Sequence, residues 1–242
     1  MEVKLIDVMG EESSIVQAAR VSYGDGTKSV SEDTALIRYL MRHWHTTPFE
    51  MVEFKFRIKC PIFIARQLMR HRTASINEYS ARYSIVRPEF WIPDSFRFQS
   101  HTNTQGSIGS FENEALKQEY VDACTNSFKV YEKMLQSGVS REIARAVLPQ
   151  STFTEFYWKI DLHNLLHFLK LRMDDHAQQE IREISHMIWK HVLERFPNVA
   201  KAFVDFRVDA VTLTGPEIRR EQLTKGEQRE WHEKMKKINF LV

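Results

Sequence analysis

The fourteen residues from Arg70 to Tyr83 read RHRTASINEYSARY and concentrate side chains that can hold a phosphate group. They include three arginines, a histidine, an asparagine, a glutamate and three serine or threonine hydroxyls. Arginine suits phosphate because its planar guanidinium donates two parallel hydrogen bonds. Serine adds a neutral contact, and glutamate can accept a hydrogen bond from a sugar hydroxyl or a ring N–H. This set is typical of a nucleotide site, and the alternative is a solvated, charged hairpin held by local ion pairs.

The spacing of these residues predicts which side chains share a face. Gln67, Arg70 and His71 stand at i, i+3 and i+4, so one face of a helix carries all three near its end. Beyond Asn77 we expect the chain to extend, so that alternate side chains project to the same side. A carboxylate, a hydroxyl and a guanidinium would then project together: Glu78, Ser80 and Arg82. The ring of Tyr79 would face the other way.

A second cationic cluster follows later in the chain. In SREIARAVL, Arg141 and Arg145 share a face opposite Ile143, which predicts an amphipathic helix with a cationic edge. In DLHNLLHFLKLR, four leucines form a core stripe and Asp161 is the expected N-cap. Arg172 ends this helix between two apolar residues, where a guanidinium needs an anion or an electron-rich partner.

Histidine and cysteine side chains offer two alternative chemistries. His163 and His167 stand four apart off the leucine stripe, and His176 is expected to open the next helix. These three histidines leave a zinc hydrolase as one alternative. The glutamate of the HExxH motif is missing, however, because Asn164 follows His163. Cys60 could be a nucleophile, but it falls on the apolar face of a predicted strand, where a small buried hydrophobe is expected. We therefore expect no metal site, and the lack of a glycine-rich phosphate loop excludes a Rossmann crevice.

The elements that must position these residues mix helices and strands without regular βαβ alternation. VEFKFRIKC, residues 52–60, is the clearest strand because apolar and charged residues alternate, as expected for a sheet with one buried side. STFTEFYWKI predicts a second strand, and a long helix is expected to end near Gln136. The polar stretch 96–111 predicts a flexible surface loop. We expect an α+β fold, with an antiparallel or mixed sheet flanked by long helices in a single domain.

Composition narrows the class of protein. The 242 residues are 43% hydrophobic, enough for one sizeable core. The net charge is only +2, so no overall charge demands nucleic acid or a membrane. A nucleic-acid-binding module, with Tyr79 and Tyr83 stacking on bases, is an alternative that would require a broader basic face. Two cysteines, no signal-peptide pattern and no apolar run of about 20 residues predict a cytoplasmic protein.

Seven positions at fixed spacing give a family resemblance. They match the pattern RHRxxSxNxxSxR and are Arg70, His71, Arg72, Ser75, Asn77, Ser80 and Arg82. This pattern resembles the signature of the flavin-dependent thymidylate synthases. The segments HTTPFE, SREIARAVLP and LRMDDHAQQEIR also resemble family segments and occur in the same order. The similarity extends to about residue 205, which predicts a catalytic domain over 1–208 and a charged C-terminal extension over 209–242.

The resemblance implies an enzyme that converts dUMP to dTMP with 5,10-methylenetetrahydrofolate as carbon donor and with FAD and NADPH as reductant. It also implies a homotetramer whose active sites are shared between chains. The residues expected to bind dUMP are Gln67, Arg70, Glu78, Tyr79, Ser80, Arg82, Arg145 and Arg172. Those expected to bind FAD are His45, Thr47, Glu50, Arg70, His71, Arg72, Glu78, Asp161, His163 and His167. The alternative is a nucleotide- or nucleic-acid-binding protein without redox activity.

Arg172 is the expected catalytic residue in this resemblance. Beside the uracil ring, its guanidinium would stabilise the negative charge that develops when N3 loses its proton, by about 3 kcal/mol. Ser80 stands where a nucleophile could lie, yet the sequence places no histidine base beside it, so a binding role is expected. Many relatives have asparagine and arginine where this chain has Asp161 and His163. The flavin contacts at that edge therefore lose a donor and a permanent positive charge.

Overall fold

The centre of the structure is a four-stranded antiparallel sheet. The structure is a computed structural model that describes residues 1–21, 30–101 and 105–240. The strands are β1 Glu2–Met9, β2 Glu53–Pro61, β3 Ser75–Glu78, β4 Phe96–Gln99, β5 Ser107–Phe111 and β6 Phe153–Asp161. The sheet has the order β1–β2–β6–β3, and β4 and β5 form a separate hairpin.

Helices cover the sheet and connect its strands. They are α1 Glu12–Arg20, α2 Val30–Arg42, α3 Thr47–Glu50, α4 Ile62–Leu68, α5 Glu114–Gln136, α6 Arg141–Ala144, α7 Leu162–Arg172, α8 Gln179–Arg195, α9 Pro197–Phe203, α10 Gly215–Arg219 and α11 Lys225–Phe240. A 3₁₀ turn, Arg145–Val147, follows α6, and a π-helical turn, Val204–Val208, follows α9. The predicted α+β class is confirmed, and the sheet is antiparallel rather than mixed.

The alternation in β2 decides which side of the sheet is buried. Its alternate side chains from Phe54 to Cys60 are fully buried, whereas Arg57 is exposed, as the sequence predicts. Phe56 pairs with Trp158 of β6, so the apolar side chains of the two middle strands lie on one face. Trp158 in turn packs edge-on against Phe168 of α7, with 5.1 Å between ring centroids. The sheet therefore fixes the helix that carries Arg172.

α7 follows β6 directly, and its start is capped as predicted. Asp161 Oδ1 accepts a hydrogen bond from the backbone N–H of Asn164 over 2.9 Å, an interaction that typically contributes about 1 kcal/mol. The predicted leucine stripe is buried in the core: Leu162, Leu165, Leu166 and Leu169. Because this stripe anchors α7 along its length, the position of Arg172 in its last turn is set by the core.

The prediction of an extended chain beyond Asn77 is wrong. The strand lies earlier, at Ser75–Glu78, and Ser80 begins a turn in which its carbonyl accepts the backbone N–H of Tyr83 over 3.1 Å. Ser80 and Arg82 therefore do not share a strand face with Glu78. All four residues of β3 are exposed, so the sequence has no alternation of apolar and polar residues that would have predicted this strand.

Three other local predictions also need correction. The stretch 96–111 contains the β4–β5 hairpin, with residues 102–104 outside the described part, because Phe98 packs against Phe111 at 4.5 Å between ring centroids. SREIARAVL forms only the short α6 and a 3₁₀ turn, and Ile143 is exposed rather than buried beneath an amphipathic helix. His176 precedes α8 in a turn and does not open that helix.

The charged C-terminal residues also form helices, α10 and α11. Glu217 of α10 is buried, and both of its carboxylate oxygens accept from Lys234 of α11 over 2.8 Å. Lys237 donates to the carbonyl of Val208, which joins α11 to the π-helical turn. The predicted boundary after residue 208 stays a prediction. Among the described helices, none has the length and apolar character needed to cross a membrane.

Candidate active site

Arg172 and His71 meet where α7 ends and where the chain leaves α4. Arg172 Nε donates a hydrogen bond to His71 Nε2 over 3.0 Å. The His71 ring lies edge-on to Phe168, with 4.9 Å between ring centroids, and 6.3 Å from the ring of His167. All three neighbours of His71 belong to α7, so the leucine stripe that anchors α7 also fixes this pair.

The surroundings of His71 keep its imidazole neutral. Burial, then the charge of Arg172 and then His167 lower the pKa of His71 to about 4. Because Nε2 accepts the hydrogen bond from Arg172, the neutral ring carries its proton on Nδ1. The pKa of Arg172 is also lowered, first by burial and then by Arg70, but a guanidinium keeps its charge in proteins. The pair therefore presents one fixed positive charge.

Gln67 is oriented by a series of hydrogen bonds that we call the Gln67 relay: Gln67, Gln178, Glu180 and Arg97. Gln67 Nε2 donates to Gln178 Oε1 over 2.6 Å, and Gln178 Nε2 donates to Glu180 Oε2 over 2.7 Å. Arg97 of β4 donates to Glu180 Oε1 over 2.7 Å. The Glu180 side chain is only 2% exposed, yet both oxygens have a partner. The hairpin is thus connected to a residue predicted to bind nucleotide.

A cavity of about 280 Å³, the histidine cavity, brings together His45, His163 and His167 from different parts of the chain. Its other lining residues are Leu40, Met41, Trp44, Thr46, Phe49, Leu166, Lys170, Leu171, Phe203 and Arg207. None of the lining residues is acidic, so apolar walls are combined with cationic and protonatable groups. This donor set fits FAD, whose flat ring suits the walls and whose phosphates suit the cations. Sites for whole ligands occupy about 300–1,000 Å³, so the cavity suits a part of FAD.

The remaining residues predicted to contact FAD lie around this cavity or beside His71. Thr47 and Glu50 belong to α3, whose Phe49 lines the cavity. Arg70 and Arg72 flank His71 and are exposed. His71 links the two places, because its ring neighbours His167 of the cavity wall.

Asp161 is engaged within its own helix. Its Oδ1 accepts from the backbone of Asn164, and its Oδ2 accepts from the side-chain amide of Asn164 over 2.8 Å. Both oxygens therefore have local partners. The structure confirms that Asp161 caps the start of α7, and its expected contact with FAD stays a prediction.

A second cavity, of about 320 Å³, holds another part of the predicted dUMP set: Glu78, Tyr79 and Arg145. Glu78 accepts a hydrogen bond from the Thr154 hydroxyl over 2.6 Å. The Tyr79 hydroxyl is used by the loop, since it donates to the carbonyl of Ile85 over 2.8 Å. Glu78 is exposed and lies on β3 beside this cavity, and its predicted contacts with dUMP and FAD stay predictions.

The comparisons with known proteins agree with the sequence pattern. A family model described as thymidylate synthase complementing protein matches residues 4–198. A flavin-dependent thymidylate synthase from Wolbachia pipientis wMel is 50% identical over 251 residues, covering 96% of this chain and 88% of the relative. This chain belongs to the flavin-dependent thymidylate synthase family.

Other relatives cover similar lengths. A flavin-dependent thymidylate synthase from Thermus thermophilus is 52% identical over 217 residues, or 90% of this chain and 80% of the relative. A crystal structure of the UMP/dUMP methylase PolB from Streptomyces cacaoi, bound with 5-Br dUMP, has a TM-score of 0.79 and 35% identity. It covers 85% of this chain and 95% of that chain.

Within this member of the flavin-dependent thymidylate synthase family, the predicted dUMP residues fall into two groups. Gln67, Arg70 and Arg172 lie near His71, whereas Glu78 and Arg145 lie at the second cavity. No hydrogen bond joins the two groups in the described part of the chain. The Arg82 guanidinium lies over the Tyr83 ring at 5.5 Å, and neither group includes it.

Sequence reasoning missed several residues of this family member's site. Gln178 and Glu180 complete the Gln67 relay, and Trp44 and Arg207 line the histidine cavity. Gln178 lies within the family segment LRMDDHAQQEIR, so that segment was a usable signal. Arg207 had no local signal, because residues far apart in sequence make up the cavity wall.

Cys60 and a zinc site are the two alternative chemistries that the sequence offers. Cys60 is fully buried, and burial followed by the charge of Glu78 raises the pKa of its thiol to about 12, so it is the small buried hydrophobe that was predicted. Across the described ranges, no three histidine, cysteine or acidic side chains are grouped closely enough to hold a metal ion.

Proposed function

We propose that this protein converts dUMP to dTMP, with 5,10-methylenetetrahydrofolate as carbon donor and with FAD and NADPH as reductant. The observation that carries the proposal is the guanidinium of Arg172, fixed by neutral His71 next to a carboxylate-free cavity that suits a flavin. Family membership supports the same reaction, because the relatives are named flavin-dependent thymidylate synthases and a similar structure is a UMP/dUMP methylase.

FAD, when bound, supplies the redox chemistry that completes the new methyl group. Residues of the histidine cavity, its surroundings and the segment around His71 would hold it, together with Glu78 of β3. The first set is His45, Thr47, Glu50, Arg70, His71, Arg72, Asp161, His163 and His167. The apolar walls of the cavity would exclude water from the ring, which strengthens the electrostatic contacts made there.

Arg172 activates the uracil ring in this proposal. His71 accepts from the Nε–H of Arg172, and the terminal nitrogens of the guanidinium make no hydrogen bond to described residues. They can therefore donate to uracil. Loss of the N3 proton places negative charge on N3 and O2 and raises the electron density at C5. A cation that is already oriented stabilises this state by about 3 kcal/mol, because nothing has to reorganise.

The other predicted residues bind dUMP. Arg70, Arg82 and Arg145 supply positive charge for the phosphate, and Gln67, Glu78, Tyr79 and Ser80 supply hydrogen bonds. Ser80 binds and does not attack, because its Oγ accepts from the backbone of Arg82 over 3.3 Å and has no histidine partner among the described residues.

We also propose a homotetramer with shared active sites, acting in the cytoplasm. The two separate groups of dUMP residues support this, because a neighbouring chain could bring Glu78 and Arg145 to the Arg172 of another.

The test begins with the visible spectrum of the purified protein, with FAD added if it is colourless. NADPH and dUMP are then supplied without oxygen, and dTMP is measured after addition of 5,10-methylenetetrahydrofolate. We expect a flavin band that bleaches at a rate that depends on dUMP, followed by dTMP. Nucleotide binding without bleaching or product would contradict the proposal and favour a binding protein without redox activity.

A further inference from the structure

Trp44 occupies a backbone position that normally belongs to glycine. Its φ is +60°, in the left-handed region that bulky residues rarely adopt. It follows α2 in a Schellman motif, in which the N–H of His45 bonds to the carbonyl of Leu40 over 3.0 Å. The residue is also 65% exposed, so burial in the core does not compensate for the strained backbone. The combination of a positive φ and an exposed ring directs attention to what the ring can contact.

The exposed indole is covered on one face by Arg207. The guanidinium carbon lies 3.2 Å from the ring centroid, and an NH2 group of Arg207 donates to the carbonyl of Met41. A guanidinium that stacks in this way keeps its remaining N–H groups in the plane, where they can still donate to an anion. The pair forms one edge of the histidine cavity.

The π-helical turn holds Arg207 in this place. Its wider turn is closed by a bond from the N–H of Asp209 to the carbonyl of Val204 over 2.8 Å. Arg38 of α2 pairs with Asp205 over 2.5 Å, and its guanidinium also lies 4.7 Å from the Phe206 ring. Two successive residues before Arg207 are thus fixed to α2, the helix that Trp44 follows.

Arg207 is a positive charge without a negative partner. Among the described residues it makes no ion pair, and none of the residues lining the cavity is acidic. Burial lowers its pKa, which indicates that water solvates it poorly. A guanidinium in that position favours an anionic ligand, and its position beside an indole favours a ligand with a flat ring.

We propose that Arg207 and Trp44 form a further binding element for the flavin dinucleotide, with Arg207 contacting a phosphate and Trp44 packing against a ring. This inference rests on the proposed function. Arg207 lies outside the family match, which ends at residue 198. Together with Lys170, it gives this cavity permanent positive charge, which His163 lacks.

The experiment compares the binding of oxidised FAD and of riboflavin, which has no phosphate, by quenching of flavin fluorescence. Arg207→Gln should weaken FAD binding by about 10- to 100-fold, the usual effect of losing a hydrogen bond to a charged group, and leave riboflavin binding within about twofold. Arg207→Lys should retain part of the affinity. The matched control is Lys201→Gln, an exposed position on α9 outside the cavity, which removes the same charge and should bind FAD normally.

Trp44→Gly tests whether the ring of Trp44 contributes to FAD binding independently of protein stability. Glycine accepts the left-handed backbone, so the melting temperature should be unchanged or higher while FAD affinity falls. FAD affinities of Arg207→Gln and Trp44→Gly equal to that of the unmodified protein would overturn the inference, and equal losses for FAD and riboflavin would overturn the phosphate contact. An unmodified protein that binds no flavin would instead contradict the proposed function.

Discussion

Neutral His71 allows Arg172 to act as a fixed cation. An imidazolium could not accept the hydrogen bond from Arg172 Nε, and it would add a second positive charge 3.0 Å away. The low pKa of His71 therefore protects the geometry of the pair at neutral pH.

Arg172→Lys tests whether orientation matters beyond charge. Lysine keeps the positive charge but lacks the planar fork that can bond to His71 and uracil together. We expect dTMP turnover to fall by at least about 100-fold, with little change in the melting temperature. Arg195→Lys, at an exposed position of α8, is the control and should turn over normally. Turnover of Arg172→Lys close to that of the unmodified protein would refute the activating role.

The pKa of His71 predicts acid sensitivity. The folded value of about 4 lies below the ordinary 6.5, so the unfolded chain binds more protons between these values. The stabilisation is present above pH 6.5 and is lost as the pH falls towards 4. His71→Gln can still accept from Arg172 but does not titrate, so its free energy of unfolding should depend less steeply on pH in this window. Denaturant titrations at several pH values measure both slopes, and identical slopes would contradict the assignment.

At the scale of elements, the Gln67 relay makes the β4–β5 hairpin part of the site. Arg97→Ala leaves the buried Glu180 carboxylate without its cation, which should lower the free energy of unfolding by about 3 kcal/mol. The exposed pair Arg57 and Glu155 is the control, and Arg57→Ala should cost less than about 1 kcal/mol.

The same variant should also affect nucleotide binding. If the relay orients Gln67, Arg97→Ala raises the KM for dUMP, whereas Arg57→Ala leaves it unchanged. Chemical denaturation measures the free energy of unfolding, and initial rates measure the KM for dUMP. Loss of stability with an unchanged KM would limit the relay to a structural role.

The elements with one buried face were predictable from the sequence, and the others were not. Apolar residues recur at every second position in β2 and at helical spacing in α7. Each spacing fits only one type of element, so the type and the buried side of β2 and α7 could be predicted. β3 is exposed on both sides, and the hairpin at 96–111 depends on Phe98, Phe111 and a salt bridge to distant Glu180. Local pattern carries no information about such partners. For the same reason, His71 could be identified from its sequence motif, whereas Arg207 could be identified only from the folded structure.

At the scale of the whole molecule, the two groups of dUMP residues predict complementation between chains. Arg172→Ala and Arg145→Ala should each be inactive alone. Mixed tetramers would regain about a quarter of the sites if each site takes Arg172 from one chain and Arg145 from another, since each residue is intact in half of the chains. Co-expression with two tags isolates the mixed tetramers for assay. Mixed tetramers as inactive as the parents would show that both arginines come from one chain.

Cys60 gives the sheet a built-in chemical reporter. Its thiol lies in β2 at the centre of the core, and burial followed by the charge of Glu78 raises its pKa to about 12, so the thiol is almost entirely un-ionised at pH 8. Only the thiolate reacts with alkylating reagents, and none can reach it in the closed sheet. Its rate of labelling would therefore count openings of β2, and a slower rate with ligand bound would measure how far the ligand holds the sheet closed.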